Sequence, residues 1–254
     1  MEPPVAEEIQ GRDFSLHVES DLELVWNALT TAEGLASWYV VAADIDATVG
    51  GTLTVDWGAG PMGLAIIDEI DPPDRLELVY RDEEGRPSGA EEWLLSHENG
   101  ITHVRLIHSL PVAEGATWDD TYPGIVRGWS LFMGTLAFVA NRRKRLGRRA
   151  EARIGDLAPG AWKRVLSLLG LEQTPKAGDH LTLLGTERAE VLISVDGFSL
   201  LLAVDDEATL LIDVEGESLY TVAATYAVDS PPVVELRKRL VAIAELACEA
   251  AAAG

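Results

Sequence analysis

The chain has 254 residues, 47% of them hydrophobic and 24% charged, a balance that excludes a predominantly disordered protein and allows one or two folded domains. Lys and Arg number 20 against 42 Asp and Glu, and a net charge of −22 repels phosphate backbones and anionic head groups, so neither nucleic acid nor a membrane is expected as a partner. The single cysteine, Cys248, excludes an intramolecular disulfide and any thiolate-rich metal site.

Residues Asp13 to Ser20 alternate Phe14, Leu16 and Val18 with Ser15, His17 and Glu19, the period of a half-buried strand. Helical spacing follows in Leu22, Val25, Trp26 and Leu29 behind an N-capping side chain at Ser20 or Asp21, and a second short helical piece runs from Ala32 to Trp38. Strands are then predicted near 43–47, 52–57, 64–70, 76–80, 90–97 and 101–108, with breaks rich in Gly, Pro, Asn and acidic residues between them. This is an antiparallel meander. A long helix closes it, from about Asp119–Gly124 to Arg145, with Ile125, Trp129, Phe132, Leu136 and Val139 along one face.

Six of the 20 basic residues fall between Arg142 and Arg149, where they read as the cationic end of that helix leading into an exposed linker. A first domain is therefore expected over 1–147 and a second, smaller α+β domain over 148–254. The second half repeats the pattern at low resolution. A helix carries Trp162, Val165, Leu166 and Leu169; strands are expected near 181–184, 189–195, 198–204, 209–214 and 219–228; and a last helix follows Pro231-Pro232 with Val233, Leu236, Leu240 and Ile243 on one stripe.

Most chemical motifs fail on context. Gly58-Ala59-Gly60-Pro61-Met62-Gly63 matches a dinucleotide fingerprint by letter, yet it opens onto the apolar strand residues Leu64 to Ile67 instead of a helix, so it reads as a hairpin loop. His97, Glu98 and His103 lack the spacing of a zinc-binding helix, so no metal is expected, and no motif calls for a cofactor. The first residues, Met-Glu-Pro-Pro-Val-Ala-Glu-Glu, carry no basic and apolar leader, and the apolar stretch from Trp129 to Ala140 is too short to span a bilayer, so a cytoplasmic location is expected.

Several segments together resemble a known family. They are Val25-Trp26-Asn27-Ala28-Leu29-Thr30-Thr31, Leu35-Ala36-Ser37-Trp38-Tyr39, Val49-Gly50-Gly51-Thr52-Leu53, Ile70 to Leu76, Thr102 to Leu110 and Gly128-Trp129. In order and spacing they are similar to the proteins related to the C-terminal domain of the Hsp90 ATPase activator, over about residues 13–146. The resemblance implies an α+β helix-grip fold of the START-like (SRPBCC) superfamily, an antiparallel sheet around a long C-terminal helix with a cavity between them. By element order alone, a degenerate second helix-grip unit is expected in tandem.

That fold serves unrelated functions, so function has to be argued from side chains. The leading reading is a non-enzymatic protein that binds a small hydrophobic molecule between sheet and helix. Trp57, Trp93 and Trp129 are the expected ligand contacts, with His108 supplying a polar tip on the face shared with Val104 and Leu106. Phe132, Met133 and Leu136 complete the expected helix side of the site. The bland reading of the same tryptophans is core filling. An Hsp90-like chaperone is the partner in a second reading, and a cyclase- or hydrolase-type enzyme using His108, Asp68 or Tyr80 is a third. Leu131 and Phe138 fall opposite Trp129 at about 100° per residue, so that face is expected to be covered by the second half of the chain or by another copy.

Overall fold

The computed structural model describes residues 7–57, 60–82, 84–142, 146–154, 161–183, 187–195, 199–204, 208–215 and 218–227. The chain divides into two compact units, Met1–Leu35 with Ala42–Arg143, and Ala36–Val41 with Lys144–Gly254.

The N-terminal stretch of the chain is built from β1 (Glu7–Val18), α1 (Leu22–Thr30), α2 (Ala32–Trp38), β2 (Ala42–Ile45), β3 (Thr52–Asp56), β4 (Pro61–Asp71), β5 (Arg75–Arg81), β6 (Pro87–Glu98), β7 (Ile101–Ala113), α3 (Trp118–Thr121) and α4 (Pro123–Arg142). Its seven strands form one sheet in the order β1-β7-β6-β5-β4-β3-β2. Every neighbouring pair is antiparallel, so each strand except the first follows its sequence neighbour through a short turn. The first strand instead pairs with the last, β7, along its whole length. α4 packs on β1 and α1, and α3 packs on β1 and β7. An antiparallel sheet holding a long C-terminal helix is the helix-grip arrangement.

Alternation along the strands decides which face meets the helix. Gly89, Glu91, Trp93 and Leu95 are buried along β6, and Thr102, Val104, Leu106, His108 and Val112 along β7, with less buried residues between them. The β4 register differs from the simple period-2 reading. The odd positions face inward up to Ile67: Ala65 and Ile67 are buried, whereas Leu64 is 56% exposed and Asp68 is exposed, and a bulge between Ile67 and Glu69 shifts the pairing with β5 only beyond them. Asp68 is thereby removed from the candidate chemistry. β3 and β4 pair antiparallel with Asp56 opposite Pro61, and Gly60 just before β4 has φ of 102° with its N–H donating to Asp56 Oδ1 at 3.0 Å, so the dinucleotide match runs into a strand and not a helix.

Asp21 stands at the N-cap of α1, but its side chain makes no cap hydrogen bond. α4 is long and apolar enough by length and composition to cross a membrane, being longer than the apolar run inside it. Its packing on β1 and α1 is that of a core helix. Leu131 and Phe138 are only 1% and 4% exposed in the single chain, so both sides of α4 are covered.

In the C-terminal unit, β8 (Leu146–Ile154) is followed by α5 (Ala161–Leu168), β9 (His180–Leu183), β10 (Glu187–Val195), β11 (Ser199–Val204), β12 (Ala208–Glu215) and β13 (Ser218–Ala227). The described sheet has the order β8-β13-β12-β11-β10-β9. β8 corrects the linker reading of the arginine-rich run: Arg148 and Arg149 pair with Tyr226 and Thr225 of β13. Every residue of β11 is buried, as befits a strand inside the sheet, and α5 buries Val165 and Leu166. Ser199 and Asp213, both buried, face each other across β11 and β12 and are joined through their side chains. The helix expected after Pro231-Pro232 lies outside the described residues.

Candidate functional site

The inner face of the first sheet carries polar residues in the middle of an aromatic shell. Register places Arg12 of β1 directly opposite His108 of β7, and His108 directly opposite Glu91 of β6, so the three form one row across the sheet. Tyr80 of β5 lies opposite Gly89 and shares that face. A side chain at Gly89 would meet Leu110 Cδ2 at 2.8 Å and the Ser109 carbonyl at 3.0 Å, so any larger residue requires both to give way.

Glu91 is 3% exposed and is satisfied locally. Tyr80 Oη donates to Glu91 Oε1 at 2.7 Å, and Trp93 Nε1 donates to Glu91 Oε2 at 3.3 Å. Each carboxylate oxygen is thus engaged by a donor, which is what a buried carboxylate needs in an apolar setting.

His108 is 8% exposed, and its Nδ1 lies 2.7 Å from Trp129 Nε1. An indole N–H can only donate, so Nδ1 must present its lone pair and the neutral ring carries its proton on Nε2. Burial holds the His108 pKa below the ordinary value of 6.5, while the charge of Glu91 acts in the opposite direction. The imidazole is therefore a neutral ring with a fixed tautomer, and Nε2–H is its free donor function.

Aromatic rings from sheet and helix surround this row. Trp129 contacts Phe14 at 6.3 Å between ring centroids, Trp93 at 5.5 Å, His108 at 5.8 Å and Phe132 at 6.1 Å. Phe132 also contacts Trp57 at 5.4 Å, which links the far end of β3 into the same cluster. Trp118, the first residue of α3, lies 5.8 Å from the His108 ring and 6.3 Å from Phe14. α3 is anchored from three sides: Thr117 Oγ1 accepts from the Asp120 N–H at 3.2 Å, Tyr122 Oη donates to the Pro111 carbonyl at 2.6 Å, and Arg12 Nε lies 2.9 Å from Asp119 Oδ1.

Of the residues expected from sequence, Trp57, Trp93, His108, Trp129 and Phe132 are brought into one connected cluster. Met133 and Leu136 are buried on α4. Sequence reading missed Glu91, Phe14 and Trp118 as members. Glu91 had a signal, since it shares strand parity with Trp93 and Leu95, but a carboxylate on an apolar face is normally read as an irregularity. Tyr80 was visible as a candidate acid or base, and its hydroxyl is committed to Glu91.

The family model described as "Activator of Hsp90 ATPase homolog 1-like protein" matches residues 19–140. No curated protein matches the sequence. Among solved structures, the chain is similar to the Aha1 dimer of Colwellia psychrerythraea at 18% identity, covering 52% of this chain and 96% of that one with a TM-score of 0.43. CalU16 of Micromonospora echinospora matches at 19% identity over 54% of this chain and 83% of that one, with a TM-score of 0.40. DynU16, from the dynemicin biosynthetic locus, matches at 18% identity over 94% of this chain and 95% of that one, with a TM-score of 0.43. The family match runs from the end of β1 to the last turns of α4 and so takes in Glu91, His108, Trp118 and Trp129. Residues 19–140 of this chain belong to the activator of Hsp90 ATPase homolog 1-like family.

Proposed function

We propose that the N-terminal unit binds a small, predominantly apolar molecule between the inner face of its sheet and α4, and that it does so without converting it. The observation that carries this reading is the placement of a buried carboxylate and a buried, tautomer-fixed imidazole inside a shell of Phe14, Trp93, Trp118, Trp129 and Phe132. Apolar walls with a few positioned polar groups are the composition of a small-molecule site. The walls supply affinity through buried area, and the polar groups supply orientation. Glu91 has both oxygens engaged and His108 has one nitrogen engaged, which suits recognition better than proton transfer.

Native mass spectrometry of the purified full chain, set against its denatured mass, tests the reading. A reproducible extra mass that is lost on denaturation is the expected result. A bare native mass together with no uptake of apolar naphthalene probes overturns it.

The family match favours a second reading, in which this domain engages an Hsp90-type chaperone. Addition of the protein to a bacterial Hsp90 then changes its ATP turnover; an unchanged turnover at saturating protein removes this reading.

For the C-terminal unit, we infer a degenerate copy of the first. The support is topological: in each unit the first strand pairs with the last, the remaining strands follow in reverse order, and a helix comes directly after the first strand. Backbone chemical shifts that are helical over residues 233–247 are the expected result, and extended or coil shifts there overturn the inference.

A further inference from the structure

Trp118 is 4% exposed, yet its indole Nε1–H has no hydrogen-bond partner among the described residues. A buried donor without an acceptor costs free energy, and a folded protein retains one where something outside the chain completes it. The ring is firmly placed: it contacts Tyr122 at 5.1 Å, Phe14 at 6.3 Å and His108 at 5.8 Å between centroids. The anchoring of α3 through Thr117, Asp119 and Tyr122 leaves it no easy route to another partner.

His108 presents a second ring donor beside it. Because Trp129 Nε1–H occupies Nδ1, the neutral imidazole keeps Nε2–H as a donor. Two N–H donors on rings in contact therefore stand at one end of the aromatic shell, and neither of these two groups is itself an acceptor. An apolar ligand lacking oxygen would leave the Trp118 N–H unsatisfied.

We propose that the Trp118 indole N–H and the His108 imidazole N–H form an acceptor-recognition end of the ligand site, specific for an apolar molecule carrying a carbonyl oxygen. The inference rests on the reading of this unit as a small-molecule binder and adds the chemical class of the ligand. The oxygen sits between the two donors, and the hydrocarbon body extends along Trp129, Phe132 and Trp57.

The test compares two probes of nearly the same shape on the full-length protein: 2-acetylnaphthalene, and 2-isopropenylnaphthalene, in which a methylene replaces the carbonyl oxygen. Calorimetric titration is expected to give a Kd about tenfold lower for the ketone, the gain from one well-formed buried hydrogen bond. Trp118→Phe keeps a large aromatic ring and removes one of the two N–H donors, so it is expected to narrow the difference to about threefold, the His108 N–H remaining. In proton–nitrogen spectra, the Trp118 indole signal moves downfield with the ketone and not with the hydrocarbon. This second readout uses the unsubstituted protein and stands even if the variant folds poorly.

Equal affinity for both probes overturns the acceptor-recognition end while leaving apolar binding intact, and it is also the result expected if a trapped water satisfies Trp118. A ketone preference undiminished in Trp118→Phe, or an unmoved indole signal, overturns it equally. Binding of neither probe up to its solubility limit overturns both this inference and the binding reading it rests on.

Discussion

Trp129 Nε1 donates to His108 Nδ1 at 2.7 Å, joining the middle of α4 to β7 at the centre of the inner face. The bond fixes the imidazole tautomer, and the indole also covers Trp93 and Phe14. One helix residue thus positions the polar group of the site and closes its aromatic wall.

Trp129→Phe preserves most of the ring area and deletes the donor. His108 Nδ1 is left buried with no partner in the described contacts, so the variant is expected to lose about 1–3 kcal/mol of stability, part of it recoverable by a second substitution at His108. Urea unfolding of the two single variants and the double variant checks this. A double variant whose loss equals the sum of the singles would show that the two side chains are not coupled.

His108 gives stability a pH dependence whose sign is fixed. Its folded pKa lies below the unfolded value of 6.5, so the unfolded chain binds the proton more readily. The full contribution is present above the unfolded pKa and is lost as pH falls below about 6.5 towards the folded pKa. Urea midpoints measured between pH 5 and 8 are expected to fall on the acid side in the unsubstituted protein and to fall less in His108→Gln. Parallel curves for the two proteins would contradict the assignment.

Glu91 accepts from two donors at once, the part-buried Tyr80 hydroxyl and the buried Trp93 indole N–H. Glu91→Ala removes that shared acceptor and is expected to cost about 2–4 kcal/mol, whereas Glu91→Gln keeps an acceptor and costs about half as much. Tyr80→Phe removes one donor from a charged acceptor at about 1.5–3 kcal/mol. Thermal unfolding of the three variants should rank them with Ala lowest. A Gln variant as unstable as the Ala variant would mean that charge, not acceptor geometry, dominates.

Gly89 marks the closest approach of β5, β6 and β7 near the site. Gly89→Ala would bring its Cβ to 2.8 Å from Leu110 Cδ2 and 3.0 Å from the Ser109 carbonyl, and overpacking of this kind costs about 1–3 kcal/mol. Chemical denaturation reads the loss directly. A neutral substitution would show that Leu110 moves aside freely.

Local pattern determined most of the elements. Alternation of apolar and polar residues marked the strands of both sheets, and turn-forming residues marked the breaks, because the pleat and the turn each impose their own spacing on the chain. It also placed His108, Trp93 and Trp129 on inward faces, and five of the expected ligand contacts do cluster. The tertiary structure decided what depends on partners distant in the chain. β8 is a strand because β13 pairs with it, although its arginines read locally as a solvated run. Asp68 is exposed because Ala65 and Ile67, not Leu64 and Ile66, are the buried set of β4, and a period-2 count alone does not say which of its two faces meets the core. Glu91 is tolerated inside because Tyr80 and Trp93 meet it, and Trp118 joins the site because α3 is anchored over β1 and β7. Periodicity records which side of an element is buried, whereas the energy of a buried polar group depends on which atoms lie within about 3 Å of it, and only the folded chain sets that.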